Sequence, residues 1–230
     1  KWKKNGVVPR NIDREIVEIM HRTHMGVDQD YKNLMKQGAR AYLADGWGGS
    51  MLATDLQDVL FGTPYPLQSE ANLGVMKEDH VNIIVHGHEP VLSEMIVAMS
   101  QKPEIIEYAK SKGAKGIQLS GICCTANEIL MRQGMPVAGN YLHQELALLT
   151  GAVDAMVVDV QCIMQALVGL AENFHTKIIT TSPKVKITGA THIEFDEHKA
   201  LTIAKNILKE AIDNFKNRGE IQIPDYKSEL

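Results

Sequence analysis

Five side chains in this sequence have the types and placement for metal chemistry. His86 and His88 lie in "HGHEPVLSEM", the adjacent Cys123 and Cys124 in "GICCTANE", and Cys162 in "DVQCIM", 38 residues after Cys124. Imidazole nitrogen and thiolate sulfur together suit iron, nickel or zinc, and no carboxylate-rich run suits calcium. No CxxC pair is present, so a self-contained zinc or cubane site from this chain alone is not expected. Each residue also has a plainer reading: a strand-end cysteine as a small buried hydrophobe, a turn histidine as a surface hydrogen-bonding group. Their joint placement points to a site. It does not choose between His86 and His88.

That placement follows from the elements before them. Val81–Val85, Gly116–Leu119 and Asp154–Val160 are short apolar runs that read as buried strands, and the reactive residues follow each one. Helical patterns lie between and around them at 91–99, 104–112, 127–133, 144–149, 164–173 and about 196–217. Further short strands are expected at 136–138 and 177–181. This alternation predicts an α/β fold, a Rossmann-like three-layer sandwich with a mostly parallel sheet, plus N-terminal helices. In such a sheet the C-terminal strand ends share one edge, and ligands bind there. Domain limits read as a helical part over 1–60 packing on the sheet, an α/β domain over 61–220, and a polar tail over 221–230, either linker or return strand.

Within the first part, residues 11–37 read as helical, "DGWGGS" as a glycine-rich turn, and the stretch through Met51, Leu52, Leu56, Val59 and Leu60 as a second helical pattern. The prolines of "FGTPYP" end it. "DGWGGS" is neither GxGxxG nor GxxxxGK[ST], so a phosphate loop is not supported. Asn127–Glu128 read as a helix cap with its dipole partner. Tyr141, His143 and Glu145 read as a solvated helix start, His192 as a turn residue and further site candidate, and His21 and His24 as helix-end residues.

Composition sets limits. With 230 residues, 44% hydrophobic and 23% charged, the chain can bury a sizeable core. A net charge of −4 gives no case for nucleic acid or an anionic membrane. No run of about 18 apolar residues or signal peptide is visible, so no membrane span and a cytoplasmic location with reduced thiols are expected. The start without Met reads as a segment or a processed chain.

Seven stretches in order, "IVEIMHRTHMGVD", "DLQDVLFGTP", "NLGV", "VHGHEPVLSEM", "GICCTANEILMRQG", "DVQCIM" and "KITGATH", resemble the anaerobic nickel–iron–sulfur carbon monoxide dehydrogenases. The resemblance covers nearly the whole chain and implies the middle, Rossmann-like domain of a longer catalytic subunit, with 221–230 leading to a further C-terminal domain. It implies a distorted Ni-Fe-S cubane with a pendant iron, and the reaction CO + H2O ⇌ CO2 + 2H+ + 2e−. On the matching motifs, His88 and Cys124 would hold the pendant iron and Cys162 an iron of the cubane. Asp45 of "YLADGWGG" would hydrogen-bond the reacting water-derived group or move its proton. Cys123 is not implied as a ligand, and His86 is expected to support the turn or the ring of His88. The remaining ligands, the electron-relay clusters and the family's acid/base histidine and lysine have no counterpart here, so the segment alone is expected to be inactive. The resemblance also implies the rest of the same subunit as partner, a homodimer, and in some members an acetyl-CoA synthase subunit. A hybrid-cluster enzyme of hydroxylamine-reductase type and a metal-free scaffold are the competing readings.

Overall fold

The computed structural model describes residues 1–230, the side chain of residue 53 excepted. It divides into two compact units, Lys1–Thr63 and Pro64–Leu230.

The first unit is helical: α1 (Trp2–Asn5), α2 (Ile12–Arg22), α3 (Tyr31–Ala44) and α4 (Leu52–Phe61), with a π-helical stretch over Asp45–Met51 joining the last two. Two expectations change here. The helix expected across 11–37 is two helices, because the chain leaves α2 at Thr23, turns through a left-handed φ of 77° at Gly26, and restarts at Asp30, whose carboxylate accepts from Lys32 N at 2.8 Å. "DGWGGS" is not a turn. None of its glycines takes a positive φ, and the segment winds on as helix. Tertiary packing overrides glycine's low helix propensity: a side chain at Gly48 would collide with Ile12.

Between α2 and α3 sits Glu15, fully buried. Its carboxylate accepts from Arg10 Nε at 2.9 Å, Gln37 Nε2 at 2.7 Å and Arg40 Nε at 3.3 Å. The Arg10 hydrogen bond, against the opposing effect of burial, brings the Glu15 carboxyl from 4.5 to about 2. A lowered folded-state pKa gives stability that is complete above the unfolded value and lost as pH falls through the folded one. Acid between about pH 4.5 and 2 should therefore loosen this unit, removing roughly 2 kcal/mol after screening on the Arg10 side. Hydrogen exchange of the α2 and α3 amides across that range should show the loss in the native chain and a flatter profile in Glu15→Gln.

The second unit is built on one eight-stranded sheet. Its strands are β1 (Glu70–Ala71), β2 (His80–His86), β3 (Gly116–Ile122), β4 (Val137–Gly139), β5 (Val153–Val158), β6 (Lys177–Thr180), β7 (Thr191–His192) and β8 (Ser228–Glu229), in the order β7-β6-β5-β2-β3-β4-β1-β8. All pairings are parallel except β1 with β8. The polar tail thus returns as an edge strand. Helices α5 (Pro90–Ser100), α6 (Pro103–Ser111), α7 (Cys123–Gln133), α8 (Gln144–Leu149), α9 (Ala166–Ala171) and α10 (Ala200–Asn214) connect the strands. Pro90 and Pro103 open their helices, where proline's missing N–H costs nothing.

Side-chain alternation explains the layers. Val81, Ile83 and Val85 of β2 join Ala155 and Val157 of β5 in a core with α5, α6 and α10. Ile84, Met156 and Val158, on the other face, pack with Leu148 of α8 and Leu167 of α9. This is the expected α/β arrangement of helices on both faces of a mostly parallel sheet. The chain runs β2, β3, β4 in one direction, then starts again beside β2 with β5 and β6. The reversal between β2 and β5 opens a crevice at their carboxyl ends. Among the described residues, no helix is long and apolar enough to cross a membrane.

Candidate metal centre

The crevice between β2 and β5 receives "HGH" from one side and Asp159–Cys162 from the other. His86 ends β2 fully buried. Gly87 follows with φ 131°, and any Cβ there would run into the Asp159 carboxylate and the Val160 carbonyl. Only glycine permits this close approach of the two loops.

Asp159 organises the crevice from below. Its side chain is buried and accepts from His88 N at 2.5 Å, from Val160 N, and from Thr125 Oγ1 at 3.3 Å. Burial pushes its carboxyl pKa up, and these donors oppose that push. Thr125 N also donates to the Gly87 carbonyl at 2.9 Å, so α7, β2 and the loop after β5 are tied at one point.

The ring of His88 makes one hydrogen bond, Nδ1 to the Val160 carbonyl at 3.1 Å. A carbonyl only accepts, so Nδ1 carries a proton, and in the neutral tautomer this selects, Nε2 holds the lone pair a metal needs. A second hydrogen bond of this kind fixes ring orientation and tautomer in metal-ligating histidines. His86 has no such freedom. Its ring nitrogens face the Ile122 carbonyl at 3.4 Å and the Cys162 carbonyl at 3.1 Å, and burial keeps its pKa below the ordinary range. The support expected from His86 for the ring of His88 is therefore replaced by a contact to the Cys162 backbone.

The paired cysteines do not sit in a loop after the strand. β3 runs to Ile122 and α7 begins at Cys123, so Asn127 and Glu128 lie in its second turn, and the expected cap there is overturned. The local pattern hid this start because Cys123 enters the helix with φ 64°. Gln161 and Cys162 also have left-handed φ, 63° and 58°. Non-glycine residues in this region cost about 1–3 kcal/mol each and concentrate at functional sites. Cys124 and Cys162 are exposed, and Cys123 is half-buried. Burial pushes the Cys123 thiol up to about 11, and the neighbouring Cys162 and Cys124 thiols and a hydrogen bond with Cys162 push the same way. Burial, with the charges of Cys162, Glu128 and Asp159, likewise raises Cys124. Three thiols gathered on this edge are sulfur donors that a soft cation would draw into the thiolate form.

Among the described residues, no three His, Cys, Asp or Glu side chains close on one point. The edge presents donors for a soft metal group without completing a cage for one. Asp45 belongs to the first unit, exposed, at the start of the π-helical stretch. His192 lies in β7 with Nδ1 2.9 Å from Thr180 Oγ1, and His143 caps its own turn with Asn140. Asp159 and Gln144 were not singled out from sequence. Their only signals were a carboxylate closing an apolar run and an amide opening a short helix.

The model of the Prismane/CO dehydrogenase family matches residues 1–225. The chain belongs to this family. Carbon monoxide dehydrogenase 1 of Methanosarcina mazei is 56% identical over 230 residues, covering 99% of this chain and 37% of its own length. The carbon monoxide dehydrogenase/acetyl-CoA synthase subunit beta of Moorella thermoacetica is 49% identical over 226 residues, 98% of this chain and 33% of that protein. An as-isolated, nickel-free carbon monoxide dehydrogenase from Thermococcus sp. AM4 superposes with a TM-score of 0.97 at 57% identity, over 100% of this chain and 37% of that one. This member of the Prismane/CO dehydrogenase family thus spans about a third of the length of the curated relatives it matches.

Proposed function

We propose that this chain contributes His88, Cys124 and Cys162 as metal ligands to a nickel–iron–sulfur cluster, as a segment of a carbon monoxide dehydrogenase that carries out CO + H2O ⇌ CO2 + 2H+ + 2e−. The observation that carries the reading is the His88 ring: Nδ1–H held on the Val160 carbonyl, Nε2 left as a donor, on an edge it shares with Cys124 and Cys162. Identity of 56% to a carbon monoxide dehydrogenase supports it.

When bound, the cluster supplies a soft metal for CO, a Lewis-acidic iron for water, and a store for two electrons. His88 Nε2 and Cys124 would hold the pendant iron, and Cys162 an iron of the cubane. A neutral imidazole leaves that iron more Lewis acidic than another thiolate would. Asp159 keeps the His88 backbone in place and Gly87 lets the two loops meet. Asp45 would hydrogen-bond the reacting water-derived group or move its proton. The remaining ligands, nickel's among them, would come from further parts of the same subunit. A homodimer, an acetyl-CoA synthase partner of the kind named for the Moorella relative, and a cytoplasmic location complete the reading.

The full-length polypeptide is expected to reduce a viologen dye with CO and to leave hydroxylamine untouched. Hydroxylamine reduction without CO oxidation would transfer the assignment to a hybrid-cluster enzyme. Residues 1–230 alone are expected to give no CO-dependent reduction.

A further inference from the structure

We propose that His86 and Gln144 are positioning residues for the Cys162 thiol, clamping the Cys162 carbonyl from two sides and so holding the left-handed Gln161–Cys162 turn. That the thiol then meets a metal rests on the functional reading above.

The turn has little else to hold it. Among the described residues, no backbone–backbone hydrogen bond engages Gln161, Cys162 or Ile163. Side chains hold it instead. Gln144 Nε2 donates to the Cys162 carbonyl at 2.7 Å, and the neutral His86 ring, with its one proton on the nitrogen nearer a carbonyl, donates from Nε2 to the same oxygen at 3.1 Å. Gln144 Oε1 accepts from Met164 N at 3.1 Å, so one amide spans both sides of Ile163. Both clamping side chains are fully buried. Buried polar groups specify geometry when all their partners are present. Here the geometry specified is a pair of disfavoured φ values at Gln161 and Cys162, which sets where the Cys162 thiol leaves the chain. Without the clamp, Gln161 and Cys162 are free to relax to ordinary backbone regions, and the thiol swings away from that edge.

Substitutions can separate the donor from the packing. Gln144→Glu keeps shape and the acceptor for Met164 N but turns an oxygen on the Cys162 carbonyl. His86→Leu removes the second donor, and His86→Gln restores a neutral N–H. In the full-length polypeptide produced metal-free, alkylation of Cys162 is read by peptide mass spectrometry with Cys124 as internal reference. Gln144→Glu and His86→Leu are expected to raise the Cys162 rate by about threefold or more relative to Cys124, with His86→Gln near the native ratio. An unchanged ratio in both Gln144→Glu and His86→Leu overturns the clamp. In the metal-loaded protein the same two variants should alter the electron paramagnetic resonance spectrum of the cluster. A shifted alkylation ratio with a native spectrum leaves the clamp standing and removes Cys162 from the ligand set.

Discussion

Cys162→Ala in the full-length protein is expected to lower CO-dependent dye reduction by more than about 100-fold, because loss of even an outer-shell partner costs roughly 10–100-fold at metal sites and a direct ligand costs more. Iron and nickel per chain should fall with it. His88→Ala and Cys124→Ala should fail differently. They would release the pendant iron, so about one iron per cluster is lost while the cubane remains detectable. The geometry sharpens the contrast. His88 is held by its own backbone N on Asp159 and its ring on Val160, so His88→Ala deletes the ring donor and its bond to Val160 while both side-chain contacts to the Cys162 carbonyl stay in place. Equal metal loss in all three variants would contradict the division of labour between pendant and cubane irons. Native metal content in any one of them would remove that residue from the ligand set.

How much of this was legible in the sequence depends on the range over which each feature is decided. The strands β2, β3 and β5 and helices such as α8 follow from local apolar pattern and were readable directly. The π-helical stretch was not: three glycines in six residues signal a turn, and the close pass of Gly48 beside Ile12, 36 positions away, is a contact that no local pattern records. The start of α7 was missed for a related reason. Cysteine at φ 64° is no capping signal, so local pattern starts the helix at Asn127, an amide with familiar cap chemistry just before the apolar run.

The candidate site divides the same way. Histidine and cysteine announce themselves by type, and their shared sheet edge by strand spacing. The choice of His88 over His86 came from family resemblance, and the ring environments support it. Asp159 meets His88 across 71 residues and Gln144 meets Cys162 across 18. A buried carboxylate or amide acquires its meaning only from such partners, and no local pattern records them. Those polar residues set the strained turns, so the part of the site hardest to read is the part that fixes its geometry.

The same rule identifies the position whose loss should damage the fold most without touching a candidate ligand. Asp154, the second residue of β5, is fully buried at the amino end of the sheet. Its carboxylate accepts from Asn82 N at 2.7 Å, from His175 Nε2 at 2.9 Å, from Arg218 Nε at 2.9 Å and from Arg218 Nη2. Arg218 also donates to the Glu78 and His80 carbonyls and lies over the Phe215 ring, 4.3 Å from its centroid. One carboxylate therefore fastens the chain after α10 to the start of β2. Removing one partner of a buried ion pair strands the other, at a cost of about 3–5 kcal/mol. Asp154→Ala should accordingly lower the unfolding free energy of the second unit by that amount, read in urea as a midpoint lower by about 1–3 M at an unchanged slope. Asp154→Asn should recover little, since its NH2 group turns a donor toward a donor. Arg218→Met combined with Asp154→Leu leaves no charge unpaired, and the double variant should cost less than the sum of the single ones. Additive losses would mean that the two side chains act separately and that the packing of α10, rather than the ion pair, secures this end of the sheet.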